Sequence, residues 1–127
     1  MATQKTAIVV LSDPKSGADE SLGRVFNALA AAYDFKNAGD DVTILFQGAG
    51  TRWLGELAKK EHPAHELFEA VKDRVAGASR SCSEAFGALQ DVTRSGFDLL
   101  TDNRVPGTHG LPSLRDLRRQ DYQVLTF

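Results

Sequence analysis

Residues 6–50 read TAIVVLSDPKSGADESLGRVFNALAAAYDFKNAGDDVTILFQGAG. Thr6 to Leu11 is a continuous apolar run rich in β-branched residues, the pattern of a strand buried on both faces. SDPKSGADES follows as a loop, in which Ser16 or Asp19 is placed to cap a helix. From Glu20 the period changes. Leu22, Val25, Phe26, Leu29 and Tyr33 recur at helical steps, and Ala28, Ala30, Ala31 and Ala32 add helix propensity and permit close packing. Gly39 stops the helix and Asp40-Asp41 turns the chain. Asp41 to Gln47 is a second, almost uniformly apolar strand, ended by Gly48-Ala49-Gly50.

The same alternation continues. Trp53, Leu54 and Leu57 mark a short helix, Pro63 interrupts, and Leu67, Phe68 and Val71 mark another. Val75 to Ser79 reads as a short strand of small residues, Ser83 to about Val92 as a helix, and Phe97 to Leu100 as a fourth strand. NRVPGTHGLP is a turn-rich loop. Ser113 caps a helix whose Leu114 and Leu117 are expected to face inward, and Tyr122 to Phe127 closes as a strand. Strands alternating with helices, the strands apolar throughout, imply an α/β sandwich with a mostly parallel sheet.

Composition bounds the function. The 127 residues fit a single domain, residues 1–127, with 42% hydrophobic and 25% charged residues, which is a globular balance. A net charge of -2 and the lack of a Lys/Arg-rich run speak against nucleic acid as a partner. The N-terminal apolar run is too short for a signal-peptide core or a membrane span. One cysteine cannot form an internal disulfide. A soluble, cytoplasmic protein is expected.

In open parallel sheets, sites collect where strands end and helices begin. That rule singles out Ser12 to Asp19, Gly48 to Arg52 and Arg80 to Glu84. The third loop carries the lone cysteine in ASRSCSEAF. Ser81-Cys82-Ser83-Glu84 has the capping-box form, with Ser81 as N-cap and Cys82 as first helical residue. A sulfur placed there lies near unpaired backbone N–H groups and the positive end of the helix dipole, which favour the reactive thiolate. Arg80 adds to this effect and Glu84 opposes it. The competing reading is an inert, buried cysteine. Arg80, Ser81 and Ser83 are the expected neighbours of Cys82, joined by Gly48, Gly50 and Arg52 from GAGTRW.

Other chemistry is weaker. Neither a Walker-type phosphate loop nor Gly-x-Gly-x-x-Gly is present. His62 and His65 flank Pro63, which breaks the helix between them, so a solvated turn is expected rather than a metal site. His109 reads as an exposed loop residue, and Arg115, Arg118 and Arg119 as a solvated helix face.

The chain resembles the DsrE/DsrF-like sulfur-relay proteins, including the TusD and YchN groups, over nearly its full length. The resemblance rests on the order of AIVVLSDP, the alanine-rich helix, LFQGAGTRWL, ASRSCSEAF and LPSLRDLRRQDYQVLTF. It implies a three-layer α/β/α sandwich around a five-stranded, mainly parallel sheet, and homo-oligomers, trimers or hexamers. It also implies that Cys82 accepts sulfane sulfur as a persulfide and passes it from a donor to an acceptor protein, with no cofactor. VAGAS is poorer in branched residues than that family's third strand, and no second cysteine accompanies Cys82. The alternative expectation is a non-catalytic oligomeric or small-ligand-binding member with an incidental cysteine. A redox-sensing thiol would need an intermolecular partner.

Overall fold

Five short strands lie side by side in the order β4-β3-β2-β1-β5, and every pairing is parallel. The computed structural model describes residues 3–127. β1 (Lys5–Val10) and β2 (Asp41–Phe46) pair in straight register from Lys5 with Asp41 to Val10 with Phe46. Between them runs α1 (Asp19–Asn37). After β2 come α2 (Trp53–Leu57), α3 (His65–Val71), β3 (Val75–Ser79), α4 (Arg80–Ala85) and α5 (Leu89–Arg94). β4 (Leu99–Leu100), α6 (Leu114–Arg119) and β5 (Gln123–Thr126) complete the chain.

Strand order dictates the layers. The steps from β1 to β2, β3 and β4 all move one way across the sheet, whereas the step from β4 to β5 returns to the far edge. Parallel crossovers are right-handed, so α1 to α5 cover one face and α6 passes over the other. Side-chain burial agrees. Ile8, Val10, Val42, Ile44, Phe46 and Ala78 form one cluster with Val25, Leu29, Leu54, Phe68 and Val92 from the helices of the first face. Ala7, Val9 and Leu45 alternate with them, belong to the opposite face and are also buried. Burial on both faces is why the first two strands read as unbroken apolar runs.

Several local expectations change. α1 has Ala18 as N-cap, with no side-chain cap, and Asp19 is its first residue; Ser16 instead ends a short turn of 3₁₀ helix capped by Asp13. The buried face of α1 is Val25, Ala28, Leu29 and Ala32, whereas Phe26 and Tyr33 are exposed. At 100° per residue the alanines, not the aromatics, point at the sheet, and their small side chains let the helix approach it. Gly87, at φ 70, divides the helix expected over Ser83 to Val92 into α4 and α5. Leu114 is exposed rather than inward, and Leu117 is half-buried.

Within the strand VAGAS, the glycine answers to a close neighbour. Gly77 has φ 149, and a Cβ there would strike the carbonyl of Asp98. The register with β2 slips at the same place, between Ile44 and Leu45.

Candidate functional site

α4 begins immediately after β3, and its first turn holds Cys82. The cap is Ser79, not Ser81. Ser79 Oγ accepts the Cys82 N–H at 3.2 Å, and Ser83 Oγ donates to the Ser79 carbonyl at 2.7 Å. Ser79 and Ser83 are both fully buried, so this pair is a sealed knot beneath the turn. Cys82 is therefore the third helical residue rather than the first, and it is partly exposed. The Ser81-x-x-Glu84 pattern fails because Ser79, although it ends β3, already has a non-helical backbone and a side chain that reaches the Cys82 N–H, as an N-cap needs.

The loop after β4 changes the electrostatics expected at this turn. The Ser81 N–H donates to the Gly110 carbonyl at 2.9 Å. The N–H groups of both Ser81 and Cys82 are thus engaged, and the unpaired donors expected beside the sulfur are not those two. Glu84 faces the same loop: His109 Nδ1 lies 2.8 and 2.9 Å from its two carboxylate oxygens. Arg80 Nε is 3.9 Å from Glu84, within ion-pair range but beyond a hydrogen bond, and it has no hydrogen-bond partner.

The second predicted loop packs against α4. Arg52 ties the loops after β1 and β2 to the end of α4. Its Nη1 donates to both carboxylate oxygens of Asp13 at 3.1 Å, its Nε donates to the Phe86 carbonyl at 2.9 Å, and its guanidinium lies 5.4 Å over the Phe86 ring. Desolvation raises the Asp13 carboxyl, but the Lys15 N–H and the Arg52 guanidinium outweigh it and hold the group below its ordinary 3.8. Gly48 sits at φ 56, and a Cβ on Gly50 would collide with the Val10 carbonyl, so both glycines answer to backbone geometry. Trp53 Nε1 adds a bond to the Ser12 carbonyl at 2.8 Å.

Strand order places Cys82 near a switch point of the sheet. The connection leaving β3 goes to the α1 face, and the connection leaving β4 goes to the α6 face. Adjacent strands whose connections part in this way leave an opening at their carboxyl ends, where ligands bind in open α/β sheets. The cavity beside α4 is lined by Ser81, Glu84 and Ala85 on one side and Gly107, Thr108 and His109 on the other; Arg80 and Cys82 share that turn without lining it, and Ser83 is buried beneath it. The loop carrying His109 and Gly110 reaches α4 from the end of β4. These two residues, with Ser79, were missed as site components in the sequence, whereas Glu84 was read there as opposing the thiolate. Ser79 was hidden by its strand-like neighbours, and nothing in a Gly/Pro loop announces where it docks.

Elsewhere the histidines are structural. His62 Nδ1 meets the Ala64 N–H at 3.1 Å, and His65 Nδ1 lies 2.7 Å from the Leu57 carbonyl. Among the described residues no group of three or more His, Cys, Asp and Glu side chains is placed to hold a metal ion. No helix among them is long and apolar enough to cross a membrane.

The model of the DsrE/DsrF-like family matches residues 4–127. The chain is also 28% identical over 68 residues to "Uncharacterized protein MJ0733" of Methanocaldococcus jannaschii, an alignment covering 54% of this chain and 55% of that protein. The match thus spans about half the length of that curated relative. No solved structure matches the chain.

Proposed function

The chain belongs to the DsrE/DsrF-like family, and from that premise we propose that it is a sulfur-relay protein carrying sulfane sulfur as a persulfide on Cys82. The observation that carries this reading is the position of Cys82: partly exposed, on the first turn of α4, just beyond the carboxyl end of β3, where the connections of β3 and β4 part.

The step is a thiol exchange. The Cys82 thiolate attacks the outer sulfur of a donor persulfide R–S–SH. The new Sγ–S bond forms as the donor's S–S bond breaks, and the donor leaves as R–S⁻. Cys82 becomes Cys82–S–SH, no electrons are gained or lost overall, and no cofactor is needed. Attack by an acceptor thiolate on the outer sulfur reverses the sequence. Because the Ser81 and Cys82 N–H groups are occupied, the charge supporting the anionic sulfur falls to the Arg80 guanidinium, which Glu84 shares at 3.9 Å. Donor and acceptor proteins are the partners this chemistry requires, and a reducing cytoplasm is the compartment that suits it. A homo-oligomer, trimeric or hexameric, belongs to the same proposal.

Intact mass after incubation with a polysulfide donor tests the reading. A gain of one sulfur atom that dithiothreitol removes, and that Cys82→Ser lacks, is expected. A Cys82 that stays unmodified while a small thiol reagent labels it in the folded protein would sink the proposal.

A further inference from the structure

We propose that the cavity around Gln47, on the α6 side of the sheet, binds a small zwitterion of the amino-acid class. It is an open groove of about 610 Å³, lined by Gln47 after β2, Asp102 and Asn103 after β4, and residues at the start of α6. That volume lies in the range of small-molecule sites, roughly 300–1,000 Å³. Cys82 does not line it, so this site is separate from the sulfur chemistry on α4.

Gln47 is the observation that points to a ligand. The residue is only 9% exposed, yet its side-chain amide has no hydrogen-bond partner among the described residues. The amide is not sealed off either. Among those residues Arg80 Nε alone is a fully enclosed polar side-chain atom without a partner. The remaining opening of Gln47 gives onto this cavity. A primary amide held by its buried stem and opening on the cavity offers a ligand two donors and an acceptor that no protein group uses.

The charged groups around it define the class. Arg115 lines the cavity and forms no ion pair among the described residues. With the Gln47 amide N–H groups it suits a carboxylate. Asp102 accepts the Ser113 N–H at 3.0 Å through Oδ2, which leaves Oδ1 free, and Asp116 also lines the cavity without an ion pair. These carboxylates suit an ammonium. Leu111 offers the apolar wall on which a side chain can rest. One guanidinium beside a neutral amide and two carboxylates match a molecule that carries both charges.

Nitrogen-15 NMR titration of the full chain with individual proteinogenic amino acids tests the proposal, with the matching amine and the matching carboxylic acid as half-ligand probes. At least one amino acid should give saturable shifts of the Gln47 side-chain NH2 and of the Ser113 to Asp116 amides. Each half-ligand should bind about tenfold more weakly or worse. Gln47→Leu and Arg115→Gln should each weaken binding by about tenfold, and Arg118→Gln, on the same helix, should not. Arg115 and Arg118 are exposed, so these variants remain informative if Gln47→Leu fails to fold. The proposal is overturned if no amino acid shifts these resonances up to about 10 mM, if half-ligands bind equally well, or if Arg115→Gln binds unchanged. It is also overturned if the same resonances move with protein concentration alone, which would make a second copy of the chain the occupant.

Discussion

Ser79 belongs to a strand by its neighbours and to a helix by its side chain. Its hydroxyl caps α4 while its carbonyl holds Ser83, so Ser79→Ala removes one bond of a buried pair. We expect a loss of about 1 kcal/mol, within the usual range for an N-cap, measured by urea unfolding. Ser81→Ala, which removes no cap, should stay within about 0.5 kcal/mol. Asp13 carries a pH signature. Its carboxyl is held below 3.8 in the folded chain, so folding favours the charged form. Its contribution is complete above 3.8 and is lost as pH falls through the lowered value. The stability difference between wild type and Asp13→Asn should therefore shrink on acidification from about pH 6 to pH 3; a constant difference would show that the Arg52 clamp does not depend on the charge. Cys82 was legible at this scale, because strand-to-helix position follows from periodicity. Its cap and the pairing of the neighbouring N–H groups were not, since the Gly110 carbonyl arrives from a loop far along the chain.

Among the elements, α1 separates amphipathic pattern from packing. Leu22, Val25, Phe26, Leu29 and Tyr33 fit helical steps, yet burial selects Val25, Ala28, Leu29 and Ala32. Ala28→Leu should overpack the contact with the sheet and cost about 1–3 kcal/mol. Tyr33→Ser, on the exposed flank, should change stability of the monomeric chain by less than about 0.5 kcal/mol. Thermal or chemical denaturation of both variants checks the contrast. The existence of α1 was readable because nineteen residues of strong propensity outlast any local exception. The division between α4 and α5 was not, because Phe86 and Leu89 alone keep a helical spacing while Gly87 reverses the backbone between them.

For the whole molecule, the apolar runs of β1 and β2 predict their own consequence: strands that hide both faces must lie inside the sheet, and they do. Phe46→Ala, at the centre of the larger cluster, should cost about 3–5 kcal/mol by denaturant unfolding. β5 lies at an edge and its Leu125 is exposed, although YQVLTF reads much like the interior strands. By itself the sequence determined the α/β class, the placing of the strands to within a residue or two, and the lone thiol at a strand end, because periodicity and turn residues act between near neighbours. Only the tertiary structure decided that the β4 loop lies across α4, that Arg52 ties Asp13 to Phe86, and that Gln47 opens on the α6 face. Those contacts join residues 25 or more positions apart, and their geometry follows from the order in which the strands pack side by side.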